Sequence, residues 1–477
     1  MILAKNIKDN IYNVSLFRIF YTISLLFEII AFTPLEIFAG WINGVSFVWG
    51  ITICFHWMFH DPEKFNINYK VISSIFIFLC FFTSCINFSS DILLNLISSF
   101  NNFIYLFLFF GISKNTSHQN IEKEFNFLSR FIIFFSFVAS LLSIYVSFKL
   151  KHINFLGHDL GIFRNRFFGI STNPNQLGFI SVISIFLCDL LSDKYTIKRI
   201  NPIFSIACVL LNIIILFLTD SNASFVFITV YLIIRISYES IAKYDEFKNV
   251  KLIREMISTA ICMSVIISGS FLARSASQKF MDNIINFKDS NISFNNREEI
   301  SESSTQTESP HLGRGNHELS SGRILLFKQG LRLSKIHPLI GIGRENLYYY
   351  SKMYIKNGLA FPCKHPDLHN LYLTILVSYG IIGLFLFLIL IFLSLYRISC
   401  KLFINVHTKK SRYISKLFSV IIAYLSYVNF EVGGLSGIAI SDVMFWVFLG
   451  YCYHISACGK TQKNNYNPDY KAIISKK

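Results

Sequence analysis

The chain is a succession of apolar blocks of membrane-spanning length separated by short polar runs. A helix needs about 20 apolar residues to cross the hydrocarbon core, where no water can satisfy an open backbone. Twelve such blocks can be read, at 11–32, 35–59, 71–88, 92–111, 127–148, 177–191, 203–218, 223–238, 256–272, 371–396, 417–430 and 438–453. Only 15% of the residues are charged and the mean hydropathy is +0.49, which sets the chain apart from a soluble protein of this length. The expected fold is an all-α polytopic membrane protein of about twelve transmembrane helices, with a large outer loop between helices 9 and 10.

Charge tests the count. With the N-terminus inside, the inner segments carry Lys5 and Lys8; Lys64 and Lys70; Lys114, Lys123 and Arg130; Lys194, Lys198 and Arg199; Lys243, Lys248, Lys251 and Arg254; the run from Arg397 to Lys416; and the lysines from Lys460 onward. The short outer turns near Pro34, Ser90, Asp220 and Gly433 carry no Lys or Arg. Both termini are therefore expected in the cytoplasm. The expected organisation is a nine-helix membrane region at 1–272 with a basic outer loop at 149–175, a periplasmic loop at 273–369, a three-helix region at 370–455, and a basic cytoplasmic tail at 456–477. The net charge of +16 is mostly topological, and no basic stretch on a soluble domain suggests nucleic acid. No cleavable signal peptide is expected, because the first block is too long and lacks a small-residue cleavage site. Arg18 and Arg235, near inner helix ends, are expected to snorkel.

Two outer segments oppose the charge rule. One is 149–175, with Lys149, Lys151, Arg164 and Arg166. The other is the large loop. Its first half, 281–320, is polar and rich in Ser and Glu, as disordered segments are. Its second half, 322–364, carries Arg323, Lys328, Arg332, Lys335, Arg344, Lys352, Lys356 and Lys364 against the single acid Glu345. Ile324, Leu325, Phe327 and Leu331 recur at helical spacing, so 323–335 reads as an amphipathic helix ended by His337-Pro338. Either this half forms a vestibule that holds an anion, for which the planar Arg fork is suited, or it is a solvated basic face resting on lipid headgroups.

His369-Asn370 stands where the chain re-enters the membrane. An imidazole there can take a proton at neutral pH, or it can simply cap the helix. His365 and His369 share a helical spacing that would suit a metal, but Pro366 lies between them and no third ligand is evident. The ten Cys residues are scattered, mostly within apolar blocks, so neither a disulfide framework nor a zinc site is expected.

Three stretches resemble the O-antigen ligase and polymerase superfamily of bacterial envelopes. One is His369-Asn370, nine residues, then Gly380-Ile381-Ile382-Gly383. A second is Ser321-Gly322-Arg323 followed by His337-Pro338-Leu339-Ile340-Gly341-Ile342-Gly343. The third runs from Arg166-Phe167-Phe168-Gly169 to Asn173-Pro174-Asn175. The resemblance covers roughly residues 160–450, and it rests on the order and spacing of the motifs together. One departure is Thr219-Asp220-Ser221-Asn222-Ala223, where Asn222 stands in place of an Arg common in the family.

The resemblance implies transfer of a glycan from an undecaprenyl diphosphate carrier to an acceptor hydroxyl, at the periplasmic face of the bacterial inner membrane. It implies His369 as catalytic base, Asn370 as a substrate-orienting side chain, and Arg323, Arg166 and Arg164 as partners of the diphosphate. No cofactor or metal is called for. The missing Arg at 222 favours a polymerase of repeat units over a ligase to lipid A-core. A lipid-linked-sugar flippase is a third reading, against which no half-to-half repeat is visible. Beyond the lipid-linked oligosaccharide and membrane lipid, a chain-length regulator is the expected partner.

Overall fold

A computed structural model describes residues 11–62, 69–87, 92–111, 118–150, 152–155, 158–163, 166–193, 199–244, 323–356, 359, 367–404, 408–431 and 439–457, with isolated positions at 269, 275 and 279. Among these are thirteen helices and one small sheet. The helices are α1 Val14–Glu28, α2 Thr33–His60, α3 Lys70–Ile86, α4 Ile92–Ile104, α5 His118–Tyr145, α6 Pro174–Leu191, α7 Pro202–Thr219, α8 Asn222–Tyr244, α9 Arg323–Leu333, α10 Leu347–Tyr354, α11 Leu371–Ile404, α12 Lys409–Tyr427 and α13 Ile440–Ala457. Wider π turns extend α4 over Tyr105–Phe110 and α5 over Val146–Leu150.

Eleven of the twelve apolar blocks coincide with these helices, and the ninth, 256–272, lies outside the described residues except for Gly269. Among the described residues, seven segments are long and apolar enough to cross a membrane: Ile37–His60, Ile92–Phe110, Asn120–Lys149, Pro174–Leu191, Pro202–Thr219, Asn222–Ala242 and Leu371–Phe403. The chain is a mostly helical multi-pass membrane protein. The helices at the other four blocks, α1, α3, α12 and α13, are shorter or more polar.

Local chemistry sets the helix starts. Asn173 and Asn201 each accept a backbone N–H two residues on, with Pro174 and Pro202 at the first helical position. An Asn side chain satisfies one of the orphan amides there, and proline has none to satisfy. Thr408 caps α12 by accepting from the Ser411 N–H, three residues on.

The segment expected as a basic outer loop holds a three-stranded antiparallel sheet: β1 His152–Phe155, β2 His158–Phe163 and β3 Arg166–Gly169, in that order. Strands of four to six residues are too short for alternation to announce them. After β3 the chain pairs with the end of α1: Ala31 N–H donates to Ile170 O (2.8 Å) and Thr172 N–H to Ile29 O (3.0 Å). This fixes the start of α6.

Helix α11 is broken inside its apolar run. Gly380 has φ 67° and ψ −170°, a conformation open essentially to glycine alone. A break exposes amides and carbonyls that lipid cannot satisfy. The segment between α9 and α10 takes them up: Ile342 N–H donates to Val377 O (2.9 Å), Gly343 N–H to Ser378 O (3.0 Å) and Ile381 N–H to Pro338 O (2.8 Å). The close approach also requires Gly341 (φ 75°), where a Cβ would lie 2.3 Å from the Ser378 carbonyl carbon. On its other side the segment is held by Thr83 Oγ1 on Ile340 O (2.8 Å), Asn87 Nδ2 on Gly341 O (3.0 Å) and Asn95 Nδ2 on Asn346 Oδ1 (2.8 Å). The two glycine-containing motifs of the sequence are thus one joint.

Arg18 and Arg235 do not snorkel. Buried Arg18 makes a two-pronged contact with Glu124, Nε to Oε1 at 2.6 Å and Nη2 to Oε2 at 2.7 Å, and its Nη1 donates to Leu108 O. Arg235 lies 3.6 Å from Asp189 and pairs with Glu239. Asp189 also receives buried Lys416 (2.9 Å), whose Nζ is 3.4 Å from Asp193. The acidic partners come from other helices or a later turn, so the position of each Arg in its own helix did not announce them. These ion pairs join α6, α8 and α12 at the ends opposite those that meet around His369.

Candidate active site

Four chain segments converge at one end of the bundle: the sheet with the first turn of α6, the start of α9, the entry to α11, and the residues just after α12. Leu371 N–H donates to Val428 O (2.9 Å), and Asn370 Nδ2 donates to Asn429 O (3.2 Å). The entry to α11 is thereby tied to the exit of α12. That tie brings Glu431 beneath His369.

Glu431 is buried, and three side chains meet its carboxylate. Arg323 Nη2 donates to Oε1 at 3.0 Å, and Asn175 Nδ2 donates to the same oxygen at 2.6 Å. His369 Nδ1 lies 3.3 Å from Oε2. Behind Asn175, Arg166 Nη2 donates to its Oδ1 at 2.8 Å. The result is a continuous chain from Arg166 through Asn175 and Glu431 to Arg323 and His369.

His369 itself has left-handed backbone, φ 46°, and its N–H donates to Asp367 Oδ1 (3.2 Å). Non-glycine residues seldom adopt that region, and they tend to do so where a side chain must be aimed. Buried Arg344, 3.8 Å from Asp367, steadies the same turn. Burial disfavours a charged imidazole. The hydrogen bond to Glu431, the Glu431 charge and Asp367 outweigh it, against a smaller push from Arg323, so the His369 pKa is held above its ordinary value.

Of the residues singled out in the sequence, Arg166, Arg323 and His369 are joined in one network. Arg164 lies outside the described residues. Asn370 is the cap of α11, its Oδ1 accepting from Leu373 N–H (2.9 Å). Asn222 lies at the first residue of α8, and its Oδ1 is buried without a hydrogen-bond partner. The adjoining turn packs on Gly178, one helical turn after Asn175. Among the described residues, no group of three or more His, Cys, Asp and Glu side chains is placed to hold a metal.

Sequence reasoning missed Glu431 and Asn175. Asn175 was visible inside the Asn-Pro-Asn motif. Glu431 is a lone carboxylate in the turn between the last two apolar blocks, and an acid at a membrane boundary between apolar runs was a usable signal.

The arrangement suits acid–base work beside an anion. One guanidinium, one amide and a titratable imidazole meet a buried carboxylate, and a second guanidinium stands behind the amide. If His369 acts as a base, its neutral form is the working one. Its raised pKa then places the rising limb of a pH–rate profile at higher pH than an ordinary histidine would. Glu431→Gln removes the largest influence that raises that pKa and leaves burial, so the limb moves to lower pH. Losing the charged hydrogen bond also lowers the maximal rate by about 10- to 100-fold. A pH profile of purified Glu431→Gln against the parent measures both. A limb that stays in place would show that Glu431 does not act on the imidazole.

Residues 207–388 match the family model described as O-antigen ligase. No curated protein matches the chain. The matched region holds most of α7, then α8, α9, α10 and the first half of α11, and so includes Arg323 and His369. It agrees with the superfamily resemblance of the motifs. It supports an activity of the O-antigen ligase or polymerase type, that of a membrane glycosyltransferase acting on a lipid-linked polysaccharide.

Proposed function

We propose that this chain is a polymerase that joins undecaprenyl-diphosphate-linked repeat units of O-antigen, or of a similar surface polysaccharide, at the outer face of the inner membrane. The observation that carries the reading is the shared carboxylate of Glu431, which draws His369 and Arg323 to one point beside Arg166 and Asn175.

In this mechanism His369 turns Nδ1 to Glu431 and uses Nε2 toward the acceptor hydroxyl. As the hydroxyl oxygen attacks the anomeric carbon of the donor, its proton passes to the imidazole. The bond from that carbon to the phosphate oxygen breaks, and undecaprenyl diphosphate leaves with the electron pair. Glu431 holds the ring in place and stabilises the imidazolium as it forms. Arg323 and Arg166 stand where negative charge develops on the leaving diphosphate. Their fixed charges meet the electrostatic demand without a metal.

The ligase reading transfers the same donor glycan to lipid A-core, and the family match is compatible with either. Asn222 favours the polymerase, because a neutral amide stands where the family commonly places a guanidinium. A strain lacking this chain separates the two. The expected result is lipopolysaccharide carrying a single repeat unit, restored to long chains by the wild-type gene. Core bearing no repeat unit at all would replace the polymerase reading with the ligase. Bare core with the donor held on the cytoplasmic leaflet, rather than exposed on the outer one, would replace both with a transporter.

A further inference from the structure

Helix α9 presents three stripes. The first is buried: Leu326, Gln329, Gly330 and Leu333 face the protein. Gly330 marks how closely, since a Cβ there would lie 2.6 Å from Leu373 and 3.2 Å from Leu368. Leu368 and Leu373 flank the first turn of α11, where that helix enters the membrane. The second stripe is apolar and uncovered: Ile324, Phe327 and Leu331 are 60%, 46% and 39% exposed. Their spacing of three and four residues aligns them along one line of the helix. The third stripe is basic and exposed: Lys328 and Arg332, continued by Lys335 just past the helix end. No acidic residue occurs between Arg323 and Lys335.

A helix with this division has a definite environment. Large apolar side chains in a row are stable out of water, and a flanking row of cations is stable beside anions. The boundary layer of a bilayer offers both at once, acyl chains below and phosphates above. The buried stripe already sets α9 at the height where α11 meets that layer. We infer that α9 is an interfacial helix: Ile324, Phe327 and Leu331 insert among lipid chains, and Lys328, Arg332 and Lys335 bind anionic phospholipid headgroups. The helix that rests on lipid also opens with Arg323, whose guanidinium reaches Glu431. This placement does not depend on the reaction proposed above, and it is tested by location alone.

The test replaces Phe327, and separately Leu331, with the photoreactive p-benzoylphenylalanine. The full-length chain is reconstituted in vesicles of phosphatidylethanolamine and phosphatidylglycerol and irradiated. Intact-mass analysis is expected to find phospholipid adducts at both positions, with phosphatidylglycerol enriched over its share in the vesicle. The triple substitution Lys328→Gln, Arg332→Gln and Lys335→Gln is expected to keep the lipid adducts and abolish that enrichment. Adducts to a second copy or to another protein, or no lipid adduct, would overturn the placement. Enrichment that survives the triple substitution would overturn the role of the basic stripe.

Discussion

His369→Ala is expected to lower turnover by about 10²- to 10⁴-fold, the range lost when a general base is removed, while the protein still inserts in the membrane at close to the parent level. The imidazole sits at the edge of the packed bundle, so little apolar packing depends on it. Its one structural demand is the left-handed backbone at φ 46°. His369→Asn is the cleaner variant, because asparagine tolerates that region better than alanine. It is expected to lose as much activity as His369→Ala and to match or exceed its stability. Turnover is measured with purified protein and a lipid-linked glycan donor, and protein level by immunoblot of membranes. A rate for either variant within a few-fold of the parent would remove His369 as the base.

The largest expected effect on stability is at Gly380. A Cβ there would stand 2.2 Å from the Leu339 carbonyl, and the backbone conformation is one that side-chain-bearing residues avoid. Strain and overpacking together amount to about 3 kcal/mol or more, a large part of the stability of an ordinary domain. The clash is with backbone rather than with a flexible side chain. It can be relieved only by separating the 338–343 segment from α11, which would leave the broken helix with unmatched amides and carbonyls. Gly380→Ala is therefore expected to give little monodisperse protein in detergent. Gly40→Ala, on α2, is the matched comparison, since nothing lies within 4 Å of an added Cβ there. It should behave as the parent in size-exclusion profile and thermal midpoint. Equal behaviour of the two variants would show that the joint between the glycine motifs is not structural.

The membrane helices were legible because their signal is local. Twenty apolar residues read the same in any context, and eleven blocks coincide with helices to within a few residues at most ends. α5 differs, starting at His118 rather than 127, because Glu122, Glu124 and Asn126 are polar yet buried, with Glu124 answering Arg18 from another helix. The sheet at 152–169 was not legible, since its strands are too short to show a period. For the site, His369, Arg323 and Arg166 stood out as charged groups in recognisable motifs. What the motifs did not disclose was the member that joins them. Glu431 acquires its role from the hydrogen bonds that bring α12 beside α11, which leave no mark on the sequence near it. Asn370 shows the converse: it is prominent in a motif, and its amide holds the helix end and the α12 exit together.

The network around Glu431 spans great distances along the chain. Glu431 lies 256 positions from Asn175, 108 from Arg323 and 62 from His369. Synthesis proceeds from the N-terminus, so the carboxylate is the last of these groups to leave the ribosome. A nascent chain that has already delivered His369 and Arg323 to the membrane has nothing yet to draw them together with the Arg166–Asn175 pair. On the proposed roles of His369 and Glu431, the site cannot be complete until the residues just after α12 are seated.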